Sequence, residues 1–242
     1  NEATLGFEDF KQEVLSDYKL ACISREASLL GRKEVLTGKA KFGIFGDGKE
    51  LAQLALAKNF KPGDFRSGYY RDQTWMMAIG ALSVQAYFSG LYAHTDVAVE
   101  PQSAGRQMGG HFATRNLDEH GQWKNLTQQK NSSADISPTA GQMPRLLGLA
   151  LASKVYRNNP ALHTEEFQQF SIQGNEVAFG SIGDASTSEG PFWETLNAAG
   201  VLQVPMVMSV WDDGYGISVP RELQTTKNSI SEALAGFQRT SD

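Results

Sequence analysis

Two aspartates, Asp184 and Asp213, stand 29 positions apart, each just past a short apolar run. The first run, Val177-Ala178-Phe179-Gly180-Ser181-Ile182, leads into Gly183-Asp184-Ala185-Ser186-Thr187-Ser188-Glu189-Gly190. The second, Met206-Val207-Met208-Ser209-Val210-Trp211, leads into Asp212-Asp213-Gly214-Tyr215-Gly216-Ile217-Ser218. Between them Phe192, Leu196, Ala199 and Leu202 recur at helical spacing, and Val204-Pro205 ends the helix. The pattern predicts strand, turn, helix, strand, with the two strands parallel and close in one sheet. Both aspartates then fall at carboxyl ends of strands, where open α/β sheets bind ligands. Small residues after Asp184 leave backbone N–H groups to face an anion at the positive end of a helix. Two carboxylates beside such a site suit a Mg²⁺ ion bridging protein to a diphosphate, because Mg²⁺ takes few protein oxygens and fills its shell with phosphate oxygens and water. An ordinary βαβ unit with acidic loop ends is the alternative.

The arrangement resembles the thiamine-diphosphate motif, which typically opens Gly-Asp-Gly and closes Asn-Asn. It is similar above all to the alpha-type half of the decarboxylating component of 2-oxo acid dehydrogenase complexes, of the branched-chain kind. The matching positions are Ser188-Glu189-Gly190, Glu194, Leu196-Asn197, Ala199, Pro205 and Tyr215-Gly216-Ile217-Ser218. The resemblance implies that Asp184 and Asp213 are metal ligands, with the backbone carbonyl of Tyr215 as a third. It implies that Ala185 and Ser186 offer N–H groups to the diphosphate, and it places Glu189 in the cofactor-binding set. Three positions depart from the pattern. Ala185 stands where Gly is usual, Asp212-Asp213 replaces Asn-Asn, and Trp211 stands where branched-chain relatives can carry a basic diphosphate contact. Asp in place of Asn keeps an oxygen ligand but adds negative charge.

Other segments carry chemistry of their own. In Arg66-Ser67-Gly68-Tyr69-Tyr70-Arg71-Asp72 a phenol and a guanidinium stand side by side, a pairing that holds phosphate by charge-assisted hydrogen bonds. The alternative there is a turn with an Arg–Asp ion pair on its surface. The resemblance puts Tyr70 and Arg71 on the far end of the diphosphate and Tyr69 next to the cofactor. Small residues in Ser137-Pro138-Thr139-Ala140-Gly141-Gln142-Met143-Pro144 permit a ligand ring to approach backbone groups. The resemblance makes Ser137 and Thr139 contacts of the aminopyrimidine. Gly105-Arg106-Gln107-Met108 resembles a segment near the active-site entrance of branched-chain members, which makes Gln107 and the nearby His111 candidate substrate contacts. Gly43-Ile44-Phe45-Gly46-Asp47-Gly48-Lys49-Glu50 nearly spells a phosphate-binding loop, but Glu50 replaces the hydroxyl residue that would bind Mg²⁺. Nucleotide binding is not expected there.

The elements that must position these residues follow from periodicity. Helices are expected at 10–30 (apolar Phe10, Val14, Leu15, Tyr18, Cys22, Leu29), 50–59, 74–79, 82–91 and 145–156, with a further helix starting at Ser229. Periodicity disappears over 95–135, a length of loop that usually serves function. Residues 158–175 read as a surface connection. Cys22, the one cysteine, excludes an internal disulfide and reads as a small core residue. A net charge of −5, with no basic block, argues against nucleic acid as partner. The apolar segments are too short or too interrupted to span a bilayer, and Asn1-Glu2-Ala3-Thr4-Leu5 lacks the form of a secretory signal. A cytoplasmic or organelle-matrix protein is expected.

The expected architecture is one α/β domain over 1–242, a three-layer α/β/α thiamine-diphosphate-binding domain with a mainly parallel sheet. The resemblance implies oxidative decarboxylation of a 2-oxo acid with acyl transfer to a lipoyl-bearing acyltransferase. The activating glutamate would come from a beta-type subunit or domain, in a symmetric oligomer. The family's later strand and histidine-bearing loop find no match before Thr240-Ser241-Asp242, so the chain is expected to be incomplete at its carboxyl end. Two rival readings are a transketolase-like thiamine enzyme and a non-catalytic homologue with a degenerate cofactor site.

Overall fold

The structure is a computed structural model in which residues 6–237 are described. The first five residues and residues 240–242, on which the readings of a leader and of the chain's end rested, lie outside the described residues. The chain forms two compact units, one from residues up to 60 with 70–112, the other from 61–69 with 113 onward.

The first unit is helical. It comprises α1 (Phe7–Leu36), α2 (Glu50–Asn59), α3 (Gln73–Ala78) and α4 (Val84–Leu91). Gly80, at φ +76°, makes the break between α3 and α4, and Ser83 caps α4 by accepting the Ala86 N–H at 3.0 Å. The core holds Ala27, Met76, Met77, Leu82, Ala86, Tyr87 and Phe112. The long helix corrects the expectation from its apolar stripe, because Phe10, Val14, Leu15, Tyr18 and Leu29 are exposed and so is Cys22. The buried face is instead the small one: Ser24, Ala27, Ser28 and Gly31. Ser24 Oγ lies 2.6 Å from Thr74 Oγ1 of α3, and a Cβ at Gly31 would fall 2.6 Å from the Phe45 ring. Small residues let neighbours come close, and that closeness selects the face.

The segment resembling a phosphate-binding loop has its amides engaged internally. Gly48 donates to the Glu50 carboxylate at 3.1 and 3.0 Å, and Gly46 donates to Gln73 Oε1 at 3.0 Å. Arg25 pairs with Glu50 at 2.6 and 2.8 Å. Burial alone would raise the Glu50 pKa, but these partners hold it below the ordinary range. The Glu50 carboxylate thus has the Gly48 amide and the Arg25 guanidinium as its partners.

The second unit contains the sheet. Strands β1 (Phe65–Ser67), β2 (Asn131–Ser132), β3 (Ala178–Gly183) and β4 (Met206–Trp211) lie in the order β2-β1-β3-β4, all parallel. β3 and β4 pair in register from Ala178 opposite Met206 to Gly183 opposite Trp211. Helix α5 (Gln142–Asn158) packs on β3 where Gly180 leaves room: a Cβ there would fall 2.3 Å from Leu146 Cδ2. Helix α6 (Gly190–Leu202) ends at Gln203 in the left-handed conformation, φ +50°. Phe192 joins Ala140, Met143 and Ile182 in a shared core. Phe179 and Ser181, which alternate with Ala178, Gly180 and Ile182, are buried as well. A strand covered on both faces is the middle layer of a three-layer α/β fold. β5 (Tyr215–Gly216) and β6 (Val219–Pro220) form a separate antiparallel hairpin, and α7 (Ile230–Ala233) starts at its Ser229 cap. The aperiodic stretch contains a 3₁₀ turn at Leu126–Gln128, an isolated bridge between Leu117 and Trp123, and the short strand β2.

Candidate active site

Parallel pairing of β3 with β4 brings Asp184 and the Asp212-Asp213 pair to neighbouring strand ends. The Asp184 N–H donates to the Trp211 carbonyl at 3.3 Å, continuing the ladder by one residue. Asp184 is buried, and its Oδ2 accepts the Gly214 N–H at 3.1 Å. Asp213, exposed, accepts the Tyr215 N–H at 3.2 Å. Burial raises the Asp184 pKa most, and the charges of Asp213 and Asp212 raise it further; the Ala185 and Gly214 amides pull the other way without cancelling the rise. Among the described residues no group of three or more metal-type side chains is clustered as a ready cage. Crowded carboxylates at one strand edge nevertheless match the donor chemistry of Mg²⁺, which needs few protein oxygens when phosphate supplies the rest.

The turn between Asp184 and the helix has a defined form. A 3₁₀ turn, Ala185–Ser188, separates Asp184 from α6, which begins only at Gly190 with Glu189 as its cap residue. Ala185 and Ser186 therefore lie in that turn rather than at the start of the longer helix. The methyl of Ala185, unusual in the resemblance, faces the hairpin: a Cβ at Gly216 would fall 2.6 Å from it. Gly216 makes room for Ala185.

Tyr69 lies at the same edge, since a Cβ at Gly183 would be 3.6 Å from the Tyr69 hydroxyl. Tyr69 is held from below by Arg66, whose Nη2 donates to the Tyr69 carbonyl at 3.0 Å. Arg66 also pairs with Asp135 at 3.0 Å, both side chains fully buried. Sequence missed Asp135 altogether. It stands two residues before Ser137 and so ties the Tyr69 segment to the segment expected to hold the aminopyrimidine. Ser137 and Thr139 are exposed, while Ala140 at φ +60° anchors their turn in the core beside Ile182. Tyr215 is exposed in β5.

The remaining expected residues belong to the helical unit, whose boundary falls between Tyr69 and Tyr70. There the Arg71 guanidinium lies 5.1 Å from the centre of the Tyr70 ring, and the Tyr70 and His111 rings are 6.2 Å apart. His111 Nδ1 lies 2.9 Å from the Met108 carbonyl, which can only accept, so Nδ1 carries the proton. Gln107 and His111 line a small cleft with Tyr87, Glu100, Met108 and Phe112. Glu100 is a second residue that sequence did not single out. Burial alone would raise its pKa, but amides of Gln102, Ser103 and Gly105 and the Ser103 hydroxyl donate to it at 2.7–3.1 Å and hold it low. Glu100 therefore folds the segment that presents Gln107.

Comparison with known proteins agrees with this architecture. The family described as "Dehydrogenase E1 component" matches residues 18–238. The 2-oxoisovalerate dehydrogenase subunit alpha of Bacillus subtilis (strain 168) is 30% identical over 238 residues, covering 96% of this chain and 60% of that protein. The pyruvate dehydrogenase E1 component subunit alpha of Acholeplasma laidlawii is 25% identical over 225 residues, 93% of this chain and 52% of that protein. The mitochondrial 2-oxoisovalerate dehydrogenase subunit alpha of Caenorhabditis elegans is 25% identical over 194 residues, 80% of this chain and 37% of that protein. This chain thus spans at most 60% of the length of these relatives. A family match over most of the chain, on a parallel sheet with acidic strand ends, settles the assignment: the chain belongs to the dehydrogenase E1 component family, as an alpha-type member of the 2-oxo acid dehydrogenases.

Proposed function

We propose that this chain supplies the diphosphate and metal side of a 2-oxo acid dehydrogenase active site, binding thiamine diphosphate through Mg²⁺. The observation that carries the reading is Asp184, a buried carboxylate whose neighbours Asp213 and Asp212 add like charge at adjacent strand ends. A divalent cation relieves that crowding. Asp184, Asp213 and the Tyr215 carbonyl would hold the cation, and Ala185 and Ser186 would turn amides toward the diphosphate. Tyr70 and Arg71 would hold its far end, with Arg71 supplying a forked, permanent charge. Tyr69, Ser137, Thr139 and Glu189 would border the rest of the cofactor, and Gln107 and His111 would meet substrate. When bound, thiamine diphosphate supplies the carbanion chemistry that lets a 2-oxo acid lose carbon dioxide. The names of the relatives favour a branched-chain 2-oxo acid. The acid that activates the cofactor comes from a beta-type subunit or domain, and the acyl group leaves on a lipoyl carrier.

Calorimetry with thiamine diphosphate and Mg²⁺ tests this. Asp184→Ala and Asp213→Ala should each weaken Mg²⁺-dependent binding by on the order of 100-fold or more, at or above the upper end of what loss of an outer-shell partner costs a metal site. Unchanged affinity in both folded variants would overturn the assignment of the ligands. No binding by the wild-type protein, even with a beta-type partner, would favour a degenerate homologue.

A further inference from the structure

Asp212 and Asp213 follow one another at the end of β4, yet their carboxylates have different surroundings. Both oxygens of Asp212 are engaged: Oδ1 accepts the Gly214 N–H at 3.1 Å, and Oδ2 accepts from Arg221 Nη1 at 2.9 Å. Arg221 is itself fixed twice more. Its backbone N–H donates to the Gly214 carbonyl at 2.9 Å, and its Nε donates to Asn228 Oδ1 at 3.2 Å. The guanidinium is therefore strapped across the loop that joins β4 to the hairpin. The side chains of Arg221 and Asp212 are 35% and 34% exposed, so solvent screens their field without abolishing it.

We infer that Arg221 is a positioning residue for the divalent cation, keeping Asp212 out of its coordination shell and cancelling the Asp212 charge. This rests on the metal site proposed above. Three carboxylates would outweigh a divalent cation and repel an incoming diphosphate. Arg221 removes one of the three charges, so the cation meets Asp184 and Asp213 while the diphosphate meets no excess of negative charge. The acidic departure at Asp212 is thus matched by a base nine positions later, just past the β5–β6 hairpin.

The test uses full-length protein carrying Arg221→Gln, Asp212→Asn, both, or Arg221→Lys, with Asp184→Ala as control. Mn²⁺ binding without cofactor is read by electron paramagnetic resonance, and thiamine diphosphate binding at saturating Mg²⁺ by calorimetry. A nearby unit charge that is partly screened by solvent is worth roughly three- to tenfold. Arg221→Gln should tighten bare Mn²⁺ binding by that factor and weaken thiamine diphosphate binding by a similar one. Asp212→Asn should weaken Mn²⁺ binding, and the double variant and Arg221→Lys should stay within about twofold of wild type. A merely structural role would instead move both single variants the same way. That result, or single variants within about twofold of wild type while Asp184→Ala abolishes Mn²⁺ binding, would overturn the inference. Mn²⁺ binding that survives Asp184→Ala would remove the metal site itself, and the role of Arg221 with it.

Discussion

At the scale of single residues, the buried carboxylate of Asp184, proposed above as a metal ligand, works against stability. Its pKa is raised, chiefly by burial and then by the Asp213 and Asp212 charges, so the folded state disfavours its ionised form relative to the unfolded chain. An acid of this kind makes the folded protein less stable as pH rises from the ordinary aspartate value, about 3.9, through the raised folded value; the loss then stays constant at higher pH. Asp184→Asn removes the titration. In melts from pH 4 to 7 without divalent cation, wild type should lose stability relative to Asp184→Asn as pH rises. Added Mg²⁺ should stabilise wild type and leave the variant unmoved. A difference that ignores both pH and Mg²⁺ would make the carboxylate a plain acceptor for the Gly214 amide.

At the scale of elements, the site edge depends on how the 3₁₀ turn Ala185–Ser188 meets the β5–β6 hairpin. A Cβ at Gly216 would fall 2.6 Å from the Ala185 methyl and 2.7 Å from the Gln224 amide. Gln224 can swing aside, but Ala185 is held by its backbone. Gly216→Ala should cost about 1–3 kcal/mol, the usual price of overpacking. Adding Ala185→Gly should recover part of that loss, giving a coupling of about 0.5 kcal/mol or more in a double-mutant cycle. Strict additivity in urea melts would mean that the hairpin shifts as a body instead. The same pair shows why one motif was only half legible. The alanine at 185 could be read as a departure, whereas the glycine that accommodates it follows 31 positions later and is identifiable only once the turn and hairpin have docked.

At the scale of the whole molecule, the chain covers 60% of the length of the Bacillus subtilis relative. The proposed ligands account for diphosphate and cation, but none of the candidate residues is the activating acid. Residues 1–242 alone should therefore show no decarboxylation of a branched-chain 2-oxo acid, measured with an artificial electron acceptor at saturating thiamine diphosphate and Mg²⁺. Activity should appear when a beta-type partner is added, most simply in a symmetric assembly. Turnover by the isolated 242-residue chain would require an activating acid within it, with Glu189 the first to replace.

Local pattern determined a good deal of this protein. The bounds of α2 and β4, the break at Gly80, the parallel β3–β4 pairing and the meeting of Asp184 with Asp213 all follow from runs of apolar residues and the turns between them. Tertiary structure decided what depends on partners distant in the chain. Strands as short as β1 and β2 carry no periodicity and exist because β3 offers an edge to β1, which in turn pairs with β2. The apolar stripe of α1 lost to its small face because close approach of neighbouring segments outweighs a hydrophobic count along one helix. The pairings Arg66–Asp135 and Arg221–Asp212 were likewise invisible, since a charge in sequence has no partner until folding brings one within hydrogen-bonding distance.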